Sequence, residues 1–334
     1  MKIYLLFIVL FLPATYCKAQ QLTVDILQQG NSYTDSSYYD IIKVNNKFWI
    51  CGKYGILKEI DEKGNIENIH YPSKNLDIYK LENINEEKII ASGDKGTIYI
   101  HDLITKTWEV IEVKGYENSC FYNLAVDEQN KIFVVGGNSR IAHSGKSMPN
   151  GFILTSLDFG KTWKKEFHNF LNMVWCVKKN PFTGKMYALM YSPNKTYLFG
   201  NEDGKWVKKQ KIGNSIFHEI QFTDKTNFVA TGGWIGKNGR IYSTTTKKII
   251  ENSGLLWSRV KNENYTIFTG CNGNIVLENK NGKIELFETT LNKAFSIYEA
   301  IFISSNTAYA IGSGRTILKL NIEEKNMFEA KSIN

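Results

Sequence analysis

The chain is short of arginine, proline and long apolar runs. Four arginines occur in 334 residues: Arg140, Arg240, Arg259 and Arg315. The remaining positive charge is lysine, in a chain also rich in Asn and Ile. That pattern reads as an AT-rich coding bias, so the net charge of +8 does not by itself call for a nucleic acid. Five prolines against 13% aromatic residues exclude a proline-rich disordered chain and suit an all-β one. Five cysteines without a C-x-x-C pair exclude a thioredoxin-type redox motif and a zinc ribbon. The five histidines, His70, His101, His143, His168 and His218, form neither H-x-H nor H-E-x-x-H. There is no clustered Asp/Asn calcium loop, no G-x-S-x-G elbow and no G-K-[S/T] phosphate loop. No cofactor and no metal are expected.

The one continuous apolar run, Ile3 to Leu12, is too short to span a bilayer. With Lys2 before it, Pro13 after it and small residues near Ala19, it reads as a signal peptide cleaved near Ala19. The expected product is secreted or periplasmic, and loss of Lys2 and Lys18 lowers its charge from +8 to +6. A lipid anchor at Cys17 and an uncleaved anchor are the alternatives, and peripheral membrane association is expected only with the lipid. Export permits disulfides. Cys51, Cys120, Cys176 and Cys271 are read as buried thiols, with a Cys120–Cys176 bridge as the sharper alternative.

Beyond the leader a pattern recurs. An apolar strand is followed by a very apolar second strand ending in Gly, then a short turn, a third strand, a polar turn and a fourth strand. The second strands are Phe48–Gly52, Ile89–Gly93, Ile132–Gly136, Met186–Met190 (which lacks the Gly), Phe228–Gly232, Tyr265–Gly270 and Ala308–Gly312. Their spacing is about 43 residues, which is propeller-blade spacing. We expect a single all-β domain over 20–334: a seven-bladed β-propeller of four-stranded antiparallel blades, six or eight blades being the alternatives. A ring of blades buries every blade face and leaves only short edges. Leu22–Leu27 is expected to complete the last blade, with Met327–Ala330 as the competing segment. Insertions 138–150 and 234–239 are expected as loops on the rim.

Ser156, Asp158, Gly160, Thr162 and Trp163 spell Ser-x-Asp-x-Gly-x-Thr-Trp between the third and fourth strands of repeat 3. The Asp can accept from turn N–H groups, and Gly tolerates positive φ. Weakened copies stand at Asp61–Gly64, Asn201–Gly204 and Asn279–Gly282.

These motifs resemble the Asp-box repeats of sialidase-like propellers. With the Gly-ended strands and the Gly-x-Ile/Leu strands, they resemble the photosystem II assembly-factor propellers of the Ycf48/Hcf136 type, over about residues 40–330. The resemblance implies a binding or assembly module with a protein client. A propeller scaffold hosts unrelated functions, so the activity has to be argued from a site.

Arg140, Arg240 and Arg315 fall in or beside turns between second and third strands, which share one face of the disc. Together they could hold a carboxylate as an anion site. The blander alternative is three solvated loop residues. Asp158 is assigned to its turn. Asp94 and Glu219, near the inner parts of blades 2 and 5, are the other candidate carboxylates for glycosidase chemistry, with a loop or surface role as the preferred reading of each. The preferred reading is an exported, non-enzymatic module binding a protein or peptide on the arginine-bearing face. A glycan-binding or sialidase-like propeller is the alternative, and no nucleic acid is expected.

Overall fold

The computed structural model describes residues 18–138, 149–234, 237–251 and 253–326. The apolar run Ile3–Leu12, Cys17, Arg140, His143 and the segment Met327–Ala330 lie outside them. Seven antiparallel sheets of four strands each follow one another along the chain. Among the described residues, helix is confined to two short 3-10 turns, Lys53–Gly55 and Asp94–Gly96. The fold is a seven-bladed β-propeller.

Each blade runs from its inner strand outward. The inner strands are Tyr38–Val44, Ile78–Asn85, Ser119–Val126, Met173–Lys179, Ile216–Phe222, Leu256–Lys261 and Ile297–Phe302. The seventh blade takes its outer strand from the beginning of the chain: Lys18–Gln28 pairs with Thr316–Asn326, Leu22 opposite Ile322 and Val24 opposite Leu320. The expected closing strand is therefore in place. Its alternation breaks at Ile26, which is 41% exposed, because the register shifts between Ile26 and Gln28.

The core is divided like the disc. Seven apolar clusters are present among the described residues, one at each junction between neighbouring blades. Between blades 1 and 2, for example, Trp49, Leu57, Leu81, Ile89 and Tyr99 pack together, and Ile50, Ile60, Tyr309 and Ile317 fill the junction of blades 7 and 1. Each blade thus buries one face against each neighbour, which explains the near-continuous apolar second strands.

The terminal glycines have a specific cause. Gly52 has φ −176°, extended backbone open to any residue. What it lacks is space. A methyl at Gly52, Gly136, Gly232 or Gly312 would lie 2.0 Å from the carbonyl oxygen of Ser37, Cys120, Ile216 or Ser296. In each case the chain entering an inner strand passes directly over the glycine.

Candidate functional site

That close approach prepares a bulge. Each inner strand carries one extra residue just past its start: Tyr39, Tyr79, Tyr122, Trp175, His218, Trp257 and Tyr298 are each skipped by the pairing register. A bulge re-aims the side chain it carries. Here all seven are aromatic, and all seven are half-buried. Their rings form a closed circle at one mouth of the central channel. Successive centroids lie 5.4 Å (Tyr39–Tyr79), 5.8 Å, 5.0 Å, 5.1 Å, 4.5 Å and 5.4 Å apart, and Tyr298 returns to Tyr39 at 5.6 Å. Those separations are in the range where aromatic pairs attract.

The next residue of each strand forms the layer beneath. Asp40 is 1% exposed; it accepts from Lys80 Nζ at 2.7 Å and from the Leu81 N–H at 2.7 Å. Asn123 Oδ1 accepts from the Val177 N–H at 3.3 Å. Glu219 pairs with Lys178 at 3.4 Å, and Glu299 lies 3.9 Å from Lys80. Burial pushes the Glu299 carboxyl up to about 7, against the pull of Lys80. Lys80 keeps its charge: burial works against it, but Asp40, Glu299 and Glu219 outweigh burial and hold the amine above its ordinary range. Burial alone lowers His218 to about 3, so this ring member is a neutral imidazole.

On the rim, Tyr39 Oη donates to Asp77 Oδ2 at 3.2 Å, and Tyr79 Oη donates to Asp94 Oδ1 at 2.9 Å. Burial, aided by these carboxylates, raises both phenols. Burial also raises Tyr122, and takes Tyr298 to about 12. The ring is therefore uncharged throughout the physiological range. The cup it encloses has a volume of about 410 Å³ and is floored by Asp40, Lys80, Asn123, Glu219 and Glu299. It opens on the face that carries the second-to-third-strand turns, since Lys53 of the blade 1 turn contributes to its wall. An aromatic wall over a few fixed polar groups is the usual composition of a binding pocket.

Of the sequence candidates among the described residues, only the two carboxylates meet this cup. Glu219 is in its floor, and Asp94 anchors one of its tyrosines. Arg240 and Arg315 are not brought together: Arg240 lines a cavity with Phe217, Tyr242 and Lys248, and Arg315 lines another with Tyr38, Lys58 and Tyr71. Arg140 lies outside the described residues. Cys120 and Cys176 are free thiols, so the bridge considered from sequence is not formed. Cys120 Sγ donates to Asp94 Oδ1 at 2.7 Å, whereas Cys176 sits in the apolar junction of blades 4 and 5 with Leu189 and Phe217. The two thiols thus have separate surroundings.

The Ser156–Trp163 turn is on the opposite face, as expected. Asp158 accepts from the Thr162 N–H at 2.8 Å and from Thr162 Oγ1 at 2.6 Å, and Trp163 Nε1 donates to the Gly160 carbonyl at 2.7 Å.

The aromatic circle was not read from the sequence, yet it leaves a trace there. An aromatic residue stands thirteen to fifteen positions before each strand-ending residue, from Tyr39 before Gly52 to Tyr298 before Gly312. Six of the seven are followed at once by a residue with an O- or N-bearing polar side chain, Cys176 being the exception.

No family model and no curated protein matches the chain. Among solved structures, it is similar to virginiamycin B lyase from Staphylococcus aureus, at 14% identity and a TM-score of 0.70, over 90% of this chain and 99% of that one. It is also similar to YCF48 from Cyanidioschyzon merolae, at 14% identity and a TM-score of 0.63, over 88% and 98%. A structure of YCF48 bound to D1 peptide aligns at 12% identity and a TM-score of 0.64, over 89% and 96%. At these identities the likeness is one of fold.

Proposed function

We propose that this protein is an exported binding or assembly module that takes a segment of a protein client into the aromatic cup. The observation that carries the reading is the closed circle of seven aromatic side chains over a polar floor. A propeller needs an inner residue at each of these places, but packing alone does not require all seven to be bulged aromatics facing the channel. Aromatic groups present large contact area at low cost in conformational entropy. The YCF48 structure with a D1 peptide supports the reading by showing that a propeller of similar fold holds a peptide. Among the described residues, no observation favours the sialidase-like alternative, because Arg240 and Arg315 line separate cavities. Cleavage near Ala19 would leave Leu22 and Val24 available to the last blade.

The test is affinity capture from an envelope extract with the mature protein and with Trp257→Leu and Tyr39→Ala variants of unchanged thermal midpoint. A defined client should be retained by the wild type and lost from both variants. Equal capture by all three would place binding elsewhere and sink the reading.

A further inference from the structure

Lys58 is 4% exposed, which is unusual for a lysine, and no carboxylate neutralises it among the described residues. Its Nζ donates to Gln28 Oε1 at 2.8 Å and lies 5.0 Å from the Tyr38 ring centre. Gln28 is fixed in turn, since its Nε2 donates to Tyr38 Oη at 3.0 Å. The ammonium borders a cavity of about 170 Å³ at the junction of blades 7 and 1. Arg315 and Lys53 border it too, with Tyr38, Tyr54, Tyr71 and Ser36, and among the described residues no Asp or Glu contributes to the wall.

The contrast with the half-buried lysines of the channel is informative. Lys80 and Lys178 each have a carboxylate at 2.7 Å and 3.4 Å. Arg259, the other buried cation among the described residues, also meets an amide, Gln221, rather than a carboxylate. A buried charge without a counter-charge is costly, and nothing in the closing strand requires one there. Arg315 is held over the same opening by its backbone: its φ is +55°, and its N–H donates to the Ser36 carbonyl at 2.7 Å. That places a guanidinium, suited to bidentate binding of an oxyanion, beside a desolvated ammonium.

We propose that this cavity is a binding site for a compact oxyanion, a carboxylate or a phosphate, held between Lys58 and Arg315. It is separate from the aromatic cup, and Lys53 borders both. The electrostatics agree. Burial and the neighbouring Arg315 lower Lys58 to about 8, the direction expected of a cation waiting for its partner. Of the groups facing Lys58, Arg315 and Lys53 are cationic, and Tyr38 is neutral with its hydroxyl pushed up to about 12 by burial. The anion therefore binds the protonated lysine, and affinity falls as pH rises through about 8.

The experiment is calorimetry and thermal melting of the mature protein with inorganic phosphate, with acetate, and with a short peptide as free acid and as C-terminal amide. At least one oxyanion should bind and raise the melting temperature. Arg315→Gln, at an exposed position, should weaken it by about tenfold. Lys58→Met should abolish the response while raising the midpoint in anion-free buffer, because it removes an uncompensated charge. Preference for phosphate identifies a phosphorylated ligand; preference for the free acid over the amide identifies a chain terminus. No response to any of these probes, or an equal response in both variants, would leave a structural lysine only and overturn the proposal. A Trp257→Leu variant separates this result from the cup: it should lose the client and keep the anion.

Discussion

His218 is the only titratable ring member near neutrality in free solution, and its surroundings forbid its charged form. Burial lowers it to about 3 from an ordinary value near 6.5. The unfolded chain therefore binds a proton that the folded one refuses, over the interval between those values. Stability contributed by the neutral imidazole is complete above about pH 6.5 and declines as pH falls toward 3. Replacing His218 with Gln should flatten the acid limb of a plot of melting temperature against pH between about 6.5 and 3. An unchanged limb would mean that carboxylates such as Glu59, held low by His70 and Lys47 against its burial, dominate acid unfolding.

At the scale of elements, the hairpin turns of the lower face share one device. Asp158, Asp61 and Asn279 each accept from backbone N–H groups two or four residues on: Thr162 at 2.8 Å, Lys63 at 2.9 Å and Asn281 at 3.0 Å. The hydrogen bonds from Thr162 draw Asp158 down to about 2, so the turn keeps its carboxylate through the whole neutral range. Asp158→Ala should lower the melting temperature modestly, less than any disruption of a blade junction, and speed amide exchange across 156–163. Unchanged exchange there would show that Gly160 and Trp163 suffice. These turns were legible in the sequence because their bonds are local. The bulges of the upper face were not, because a bulge is defined by what the partner strand leaves unpaired. Tyr79 and Trp257 look like ordinary strand residues until the pairing of Ile78 with Gly93 and of Leu256 with Gly270 shows that each is skipped.

For the whole molecule, the decisive contact joins residues near the two ends of the described chain. The strand Lys18–Gln28 covers the edge of Thr316–Asn326 and packs Leu22 and Val24 against the blade 6–7 core. It also supplies Gln28 to the basic cavity. A chain beginning after Gln28 should lose on the order of 3 kcal/mol from the two apolar side chains and expose a sheet edge. Chemical denaturation would show the lowered midpoint, and light scattering the association of exposed edges. A midpoint equal to that of the full protein would mean that the ring closes without this strand.

The sequence alone determined the four-strand repeat and the lower-face turns, and it favoured seven blades and Leu22–Leu27 as the closing strand over the alternatives. Each depends on periodicity or on contacts a few residues apart, which a linear pattern records. It also pointed, through the turns that bear the arginines, to the face on which the aromatic cup opens. Only the tertiary structure decided what lies on that face. Seven residues about 43 positions apart become neighbours because the ring closes, and Lys58 meets Gln28 and Arg315 because the two ends of the chain share a blade junction. Arg240 and Arg315, which looked alike in sequence, diverge because their blades do. Such groupings are set by the angle of each blade around the axis, a quantity no local pattern in the chain encodes.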